Sequence, residues 1–214
     1  MQTKKVYGAE ALARWQKSDG KIVVPAGFIE ALEKIGYITE LDFYIYEELL
    51  KLMLKWKKEG RKEITISVNF SGIHFDSDGK DFMSRLDALA IKYEVVPNFI
   101  EIEITEGVMV KNKAALTECL TVLREKGYRV AIDDFGTGYS SLSVLMDTPA
   151  DVIKIDKSFI DKDLTEQQIQ FITEIERIIT ISGKESIFEG IETEEQRQLL
   201  IKCGYKNGQG YLCN

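Results

Sequence analysis

Polar side chains interrupt the short apolar runs of this sequence at regular places. Nearly every run rich in Val and Ile carries or ends in an acidic, amide or lysine group. These groups are Glu10, Asn69, Glu103, Asp133, Asp134, Lys154, Asp156, Glu189 and Gln209. A carboxylate in apolar surroundings is costly unless it is paired or binds a metal ion. Taken one at a time, strand acids such as Glu101 or Asp151 need only face solvent, but the joint pattern indicates a metal site.

The atoms that this set offers favour a hard cation. Carboxylate and amide oxygens without histidine or cysteine suit Mg²⁺ or Mn²⁺, whereas zinc sites usually include nitrogen or sulfur ligands. The single histidine, His74, has no partner histidine, so we interpret it as a surface or packing residue. The three cysteines have no metal-ligand spacing and are expected to be reduced thiols: Cys119, Cys203 and Cys213.

Parallel strands alternating with helices would bring these groups together. We expect strands near residues 5–13, 64–70, 99–105, 129–134, 151–156, 186–189 and 209–213, and helices near 39–58, 80–93, 112–126, 164–182 and 194–202. The longest helix is predicted to bury one face, formed by Leu41, Ile45, Leu49, Leu52 and Trp56. The carboxyl ends of all strands in a closed barrel meet at one face, so groups far apart in sequence converge there. We predict one domain over residues 1–214, because no linker divides the chain.

Composition limits the partners of this domain. Hydrophobic residues make up 44% and charged residues 29% of the chain, which predicts a folded protein. A net charge of -7 argues against binding a polymeric nucleic acid, although metal ions would let a small anion bind. The sequence has no basic-then-apolar leader and no apolar run long enough to span a bilayer. We therefore expect a cytoplasmic domain without membrane contact of its own, attached to a membrane only through segments outside this chain.

Seven motifs, in order along the chain, resemble the EAL domains that hydrolyse cyclic di-GMP. The motifs are Glu10-Ala11-Leu12, Val68-Asn69-Phe70-Ser71, Glu103-Ile104-Thr105-Glu106, the segment from Asp133-Asp134-Phe135-Gly136 to Ser140-Ser141, Lys154-Ile155-Asp156, Glu189-Gly190-Ile191-Glu192 and Gln209-Gly210-Tyr211. This resemblance implies an α/β fold, the (β/α)8 TIM-like barrel of the EAL type. Compared with the family, the chain lacks terminal strands and helices, so we expect the domain to be incomplete at both ends.

The resemblance also implies roles for individual residues. Two divalent cations, Mg²⁺ or Mn²⁺, would be held by Glu10, Asn69, Glu103, Asp133, Asp134 and Glu189. Lys154 and Gln209 would position or activate the attacking water. Substrate contacts are implied for Leu12, Arg14, Asp156 and Glu192, and loop ordering for Glu106 and Ser141. Glu192 could instead be a helix-start acid favoured by the helix dipole, and Gly136-Thr137-Gly138 could be an ordinary turn.

The implied function is hydrolysis of cyclic di-GMP to linear pGpG by a two-metal phosphodiesterase. Lys154 could act as a base only if nearby cations lowered its pKa; otherwise it would orient water and offset phosphoryl charge. The resemblance further implies a homodimer and linkage to sensor or GGDEF-type domains. Three alternatives stay open: an inactive cyclic di-GMP receptor, a carbon-acid enzyme such as an aldolase on the same barrel, and a purely regulatory module. One departure from the family is Phe188 before Glu189, which we expect to point into the packing.

Overall fold

The computed structural model describes residues 1–3, 5–75, 79–110, 113–137, 142–160 and 164–213. Its contacts divide the chain into two compact units. The N-terminal unit comprises Gly8–Ile104 and Asn112–Arg129, and the C-terminal unit comprises Met1–Tyr7, Thr105–Lys111 and Val130–Asn214. No helix in the described part of the chain is both long and apolar enough to cross a membrane.

The N-terminal unit contains a parallel ladder of three strands and a small hairpin. The ladder consists of β1 (Gly8–Ala11), β4 (Thr65–Asn69) and β5 (Ile100–Thr105). The hairpin follows β1 in the chain and consists of β2 (Trp15–Gln16) and β3 (Ile22–Val23). β4 lies between β1 and β5, with Glu10 opposite Ser67 and Asn69 opposite Glu103. This register places the polar groups of three strands at the same end of the ladder.

The described residues of this unit form four helices: α1 (Ile29–Lys34), α2 (Ile38–Lys58), α3 (Lys80–Lys92) and α4 (Lys113–Glu125). Three single-turn 3-10 helices accompany them, at Pro25–Gly27, Gly72–Phe75 and Pro97–Phe99. The predicted extent of α2 is confirmed, but its predicted buried face is only partly right. Leu49 is buried, Leu41, Ile45 and Trp56 are half-buried, and Leu52 is 40% exposed. The buried side chains are Ile38, Asp42, Phe43, Tyr46, Leu49, Leu50 and Met53. Because the large rings of Phe43 and Tyr46 are buried, the observed buried face lies roughly a quarter turn around the helix axis from the predicted one.

The C-terminal unit contains a second parallel ladder: β6 (Arg129–Phe135), β7 (Val152–Ile155), β8 (Glu185–Phe188) and β9 (Asn207–Gly208). Its helices are α5 (Leu142–Asp147), α6 (Glu166–Ile181) and α7 (Glu194–Lys202), with 3-10 turns at Glu106–Val110, Lys157–Phe159 and Tyr211–Cys213. Ala131, Val152 and Ile187 from three neighbouring strands form a buried cluster. Phe188 is fully buried against Tyr205, so its predicted packing role is confirmed.

Alternation of parallel strands and helices confirms the predicted α/β class. Most predicted elements lie within one or two residues of the observed ones, but the first predicted strand is too long and the last one is wrong. The first strand is shorter than 5–13, and residues 209–213 are not a strand because β9 ends at Gly208 and a 3-10 turn follows. Gly210 has φ 151, and a Cβ there would overlap the backbone of Ile191, so the chain turns at this point. The assignment of residues 1–214 to one domain stays a prediction.

Replacing Thr165 with alanine should destabilise the protein by about 1 kcal/mol. Thr165 caps α6: its hydroxyl accepts a hydrogen bond from the backbone N–H of Gln168, and the Gln168 side chain accepts one from the backbone N–H of Thr165. Urea unfolding measures the loss. Thr165→Ser keeps the hydroxyl and is the control; equal stability of the alanine and serine variants would contradict the capping role.

Candidate metal and active site

In the N-terminal unit, three predicted ligands lie on neighbouring strands. The side-chain amide of Asn69 donates a hydrogen bond to Glu10 Oε1 at 2.9 Å. Glu103, opposite Asn69 on β5, is fully buried. Glu10 and Asn69 are half-buried, so this end of the ladder is accessible from solvent. The structure thus brings together an amide and carboxylates, all of which offer oxygen atoms.

In the C-terminal unit, an irregularity in β6 presents two adjacent carboxylates. The pairing of β6 with β7 shifts between Ile132 and Phe135, which is where Asp133 and Asp134 lie. Asp134 has a left-handed backbone with φ 56, a conformation that few non-glycine residues adopt. The backbone N–H and the hydroxyl of Thr137 both donate to the carbonyl oxygen of Asp134 and hold this geometry. A bulge of this kind re-aims side chains at functional sites.

Asp133, Asp134 and Glu189 form one carboxylate cluster. Each offers an oxygen atom, and these atoms all lie within 4.8 Å of one another. Asp133 and Glu189 are partly buried and Asp134 is exposed, so the cluster is open on one side. An all-oxygen donor set with this spacing fits Mg²⁺ or Mn²⁺. The three carboxylates therefore fit a divalent cation.

Lys154 lies beside this cluster and is 1% exposed. Its Nζ is 2.7 Å from Glu189 Oε1 and 3.5 Å from Asp133 Oδ1. The side chain of Asp156, two residues after Lys154, accepts a hydrogen bond from the backbone N–H of Ser158. A buried ammonium between two carboxylates keeps their charges compensated. Lys154 thus lies at the edge of the carboxylate cluster and offsets part of its charge.

Backbone contacts hold Gln209 next to Glu189. The N–H of Gln209 donates to the carbonyl of Phe188, and the carbonyl of Gln209 accepts from the N–H of Ile191. These two bonds flank Glu189 on both sides in sequence. Gln209 is half-buried, and its role in positioning or activating water stays a prediction.

The loop after Asp134 is ordered by contacts from two other segments. Glu106 Oε2 accepts a hydrogen bond from the backbone N–H of Gly136 at 3.2 Å. Its loop-ordering role stays a prediction. Gly136 has φ 102, and a Cβ there would overlap the ring of Phe159. Ser141, the second predicted loop-ordering residue, lies outside the described residues.

The predicted substrate-contact residues are mostly exposed. Leu12 is 48% exposed, and Arg14 is exposed with Nη1 donating to the carbonyl of Ala13 at 2.7 Å. Glu192 is exposed and directly precedes Thr193, the N-cap of α7, while Asp156 is half-buried. Nothing in these positions tests a substrate contact, so these roles stay predictions.

Two strand acids outside the candidate ligands do not face solvent freely. Glu101 is 3% exposed and pairs with Arg129 Nε at 3.0 Å. Asp151 is half-buried and accepts a hydrogen bond from the backbone N–H of Val130. Solvent exposure is therefore the wrong interpretation for Glu101, while Asp151 is partly exposed and also bonds a neighbouring strand.

Sequence reasoning missed a buried polar network on α2. Asp42 Oδ2 accepts a hydrogen bond from the backbone N–H of Ser71 and contacts His74 Nε2. His74 is therefore a packing residue, as one of the two interpretations held, and not a surface residue. The sequence could have indicated that Asp42 is buried, because Asp42 lies one helical turn after the apolar Ile38 on the same face of α2. Cys119 and Cys203 are free and buried, and burial raises the pKa of the Cys119 thiol to about 11.

The family comparison decides the interpretation of these groups. The family model of the EAL domain matches residues 1–214. The chain belongs to the EAL domain family. Among curated relatives, the signaling protein YkoW of Bacillus subtilis (strain 168) is 36% identical over 215 residues, which cover 99% of this EAL domain and 26% of YkoW. PdeB of Escherichia coli (strain K12), named a probable cyclic di-GMP phosphodiesterase, is 34% identical over 208 residues, covering 97% of this chain and 39% of PdeB.

Solved structures agree with this assignment. The PaMucR phosphodiesterase, solved as a c-di-GMP complex, matches with a TM-score of 0.90 and 28% identity over 98% of this chain and 85% of that chain. An EAL domain protein from Listeria monocytogenes EGD-e matches with a TM-score of 0.83 and 28% identity, covering 98% and 81%. The predicted fold class, a TIM-like α/β fold of the EAL type, is confirmed. This EAL domain spans only 26% and 39% of the two curated relatives named above.

Gly136→Ala should distort the loop that follows the carboxylate pair. The alanine would pay for a left-handed backbone, about 1–2 kcal/mol, and would also displace the Phe159 ring. We expect a lower free energy of unfolding and a smaller increase of that energy on adding Mg²⁺, both measured by urea denaturation.

Gly20→Ala is the matched control for Gly136→Ala. Gly20 also has a left-handed backbone, φ 83, but nothing lies within 4 Å of an added Cβ. It should cost the backbone strain alone and leave the Mg²⁺ effect unchanged. Equal losses in the two variants would show that the contact between Gly136 and Phe159 is unimportant.

Proposed function

We propose that this EAL domain is a metal-dependent phosphodiesterase that hydrolyses cyclic di-GMP to linear pGpG. The observation that carries the proposal is the cluster of Asp133, Asp134 and Glu189 with Lys154 at its edge. Family membership supports the substrate, since relatives such as PdeB are named for this activity. An intact ligand set and a lysine at the cluster favour turnover over binding alone.

Two divalent cations, Mg²⁺ or Mn²⁺, would complete the site. By resemblance to the family, their ligands would be Glu10, Asn69, Glu103, Asp133, Asp134 and Glu189. Bound cations would acidify a water molecule and neutralise phosphoryl charge. All of these residues offer oxygen atoms, and Glu103 is a buried carboxylate of the kind that a cation stabilises.

Lys154 would stabilise negative charge during the reaction and would not serve as the base that removes a proton from water. Its ammonium lies 2.7 Å from Glu189 and is almost completely buried, so its position is set by the carboxylates before any substrate binds. A fixed ammonium of this kind can orient water and stabilise charge that develops on phosphoryl oxygens. Gln209, held beside Glu189 by its backbone, would help to position the water.

Substrate binding would depend on exposed residues near the strand ends. Arg14 suits a phosphate because its guanidinium can donate two hydrogen bonds to one anion. Leu12 is exposed immediately after β1 and would contact the dinucleotide, as would Asp156 and Glu192. This division separates residues that bind the ground state from Lys154, which acts during the reaction.

The cellular context is also a proposal. We place the domain in the cytoplasm, as a homodimer linked to sensor or GGDEF-type domains. One relative, MucR of Pseudomonas aeruginosa, is named a bifunctional diguanylate cyclase/cyclic di-GMP phosphodiesterase, which supports such linkage. Light scattering of the intact protein tests the dimer, and a mass that stays monomeric at all concentrations would reject it.

The purified domain should convert cyclic di-GMP to pGpG only when Mg²⁺ or Mn²⁺ is present. Chromatography resolves the product, and exhaustive chelation should stop its formation. Asp133→Ala, which removes one carboxylate of the cluster, is the inactive control and should fold. Undiminished hydrolysis after chelation would exclude the metal mechanism. Tight binding of cyclic di-GMP without any turnover at any metal concentration would identify a receptor instead.

Lys154→Ala and Arg14→Ala should give opposite kinetic changes. The lysine variant should lose turnover and keep most of its affinity for cyclic di-GMP, because an interaction made only in the transition state does not hold the ground state. The arginine variant should mainly lose affinity, since it loses a phosphate contact. Calorimetric titration with Ca²⁺ in place of the catalytic metal measures affinity, and initial rates with Mg²⁺ measure turnover.

Thermal melting of Lys154→Ala completes this comparison. Removing the ammonium leaves Asp133 and Glu189 uncompensated, so some loss of stability is expected in the metal-free protein. Added Mg²⁺ should restore the lost stability, because the cation replaces the missing positive charge. If affinity falls in parallel with turnover, Lys154 supports the ground state and not the chemical step.

A further inference from the structure

Residues 70–75 follow the predicted ligand Asn69 directly, and a buried carboxylate on α2 fixes them. Asp42 Oδ2 accepts a hydrogen bond from the backbone N–H of Ser71 at 2.9 Å and lies 3.0 Å from His74 Nε2. The backbone N–H of His74 in turn donates to the carbonyl of Ser71. One carboxylate oxygen therefore holds the start and the end of this turn.

Aromatic rings enclose this contact. The His74 ring lies 5.3 Å from Phe43, 5.5 Å from Phe70 and 4.9 Å from Phe82, measured between ring centroids. The side chains of Asp42 and His74 are 6% and 5% exposed. A hydrogen bond to a carboxylate in such surroundings is stronger and more directional than one at the surface. The turn is consequently held by a rigid element of the fold.

A single residue, Phe70, separates the predicted ligand Asn69 from Ser71. On the strand side, Asn69 pairs with Glu103, and the N–H of Phe70 donates to the carbonyl of Glu103 at 2.9 Å. On the other side, Ser71 is held by Asp42 and by Glu33, whose Oε1 accepts from the Ser71 hydroxyl at 2.9 Å. Asn69 is thus fixed from both directions, which sets where its side-chain amide meets Glu10.

We propose that Asp42 and His74 are positioning residues for the metal ligand Asn69. They contact neither substrate nor cation; they fix Ser71 and, through the backbone, orient the Asn69 amide against Glu10. This inference rests on the proposed function for the role of Asn69 as a ligand. Groups that orient a metal ligand from behind commonly change metal affinity by about 10–100-fold when removed.

Two measurements on the purified domain test this proposal. Mn²⁺ binding, followed by electron paramagnetic resonance well below the melting temperature, should weaken about tenfold or more in Asp42→Ala. Asp42→Asn keeps an oxygen acceptor for Ser71 and should recover most of the affinity. In the metal-free protein, the Asn69 side-chain amide signal, identified by its loss in Asn69→Gln, should shift in Asp42→Ala and stay close to wild type in Asp42→Asn.

Tyr46→Phe is the matched control on the same helix. The Tyr46 hydroxyl lies 3.2 Å from that of Tyr128, and burial raises the pKa of both phenols. Losing this buried contact should lower the melting temperature without changing Mn²⁺ affinity or the Asn69 signal. His74→Phe serves if Asp42→Ala does not fold, because it keeps an aromatic ring in the cluster and removes only the contact to Asp42.

The outcomes separate this proposal from the proposed function. Wild-type Mn²⁺ affinity together with an unshifted Asn69 signal in Asp42→Ala, or in His74→Phe in its place, would overturn the positioning role. A loss of affinity in Tyr46→Phe as large as in Asp42→Ala would overturn it too, because general destabilisation would then be the cause. Failure of the wild-type protein to bind Mn²⁺ would reject the metal mechanism, while the Asn69 signal would still decide whether Asp42 positions that residue.

Discussion

Repulsion between carboxylates is the constraint on which the C-terminal unit depends. Asp133, Asp134 and Glu189 hold oxygens within 4.8 Å of one another, and like charges at that distance repel one another. The Lys154 ammonium offsets part of this cost, and a divalent cation would offset more. A lysine that is 1% exposed would itself be expensive without these partners. The cluster and the lysine therefore stabilise each other, and neither is explained alone.

Local backbone geometry follows from that requirement. The bulge in β6 and the left-handed Asp134 turn two successive carboxylates toward the cluster, although a regular strand would point them to opposite faces. Glu106 then holds the N–H of Gly136 directly after the bulge. In the N-terminal unit, a different device serves the same purpose, since strand pairing and the buried Asp42 fix Asn69 from its two sides. Both units use buried contacts to hold predicted ligands that are themselves only partly buried.

Much of the fold follows from local sequence pattern, and the errors arise where distant contacts intervene. The Val- and Ile-rich runs predict β4 to β8 because such residues favour a pleated, buried surface. The period of α2 predicts its extent, but not that Phe43 and Tyr46 define its buried face. The expected strand at 209–213 fails because Gly210 lies against the backbone of Ile191, which no local pattern reveals. His74 was open between two interpretations, and its aromatic neighbours come mostly from other segments.

The types of group at the candidate site were determined by the sequence by itself. Seven ordered motifs specify acidic, amide and lysine residues on successive strands, and oxygen donors without histidine or cysteine already favour Mg²⁺ or Mn²⁺. Only the tertiary structure decided that Lys154 pairs with Glu189 and Asp133. It also decided that Asp42, 27 positions before Asn69, supports the segment after it. The physical reason is that residue type and strand period are local properties, whereas charge pairing and burial depend on which strands and helices pack together.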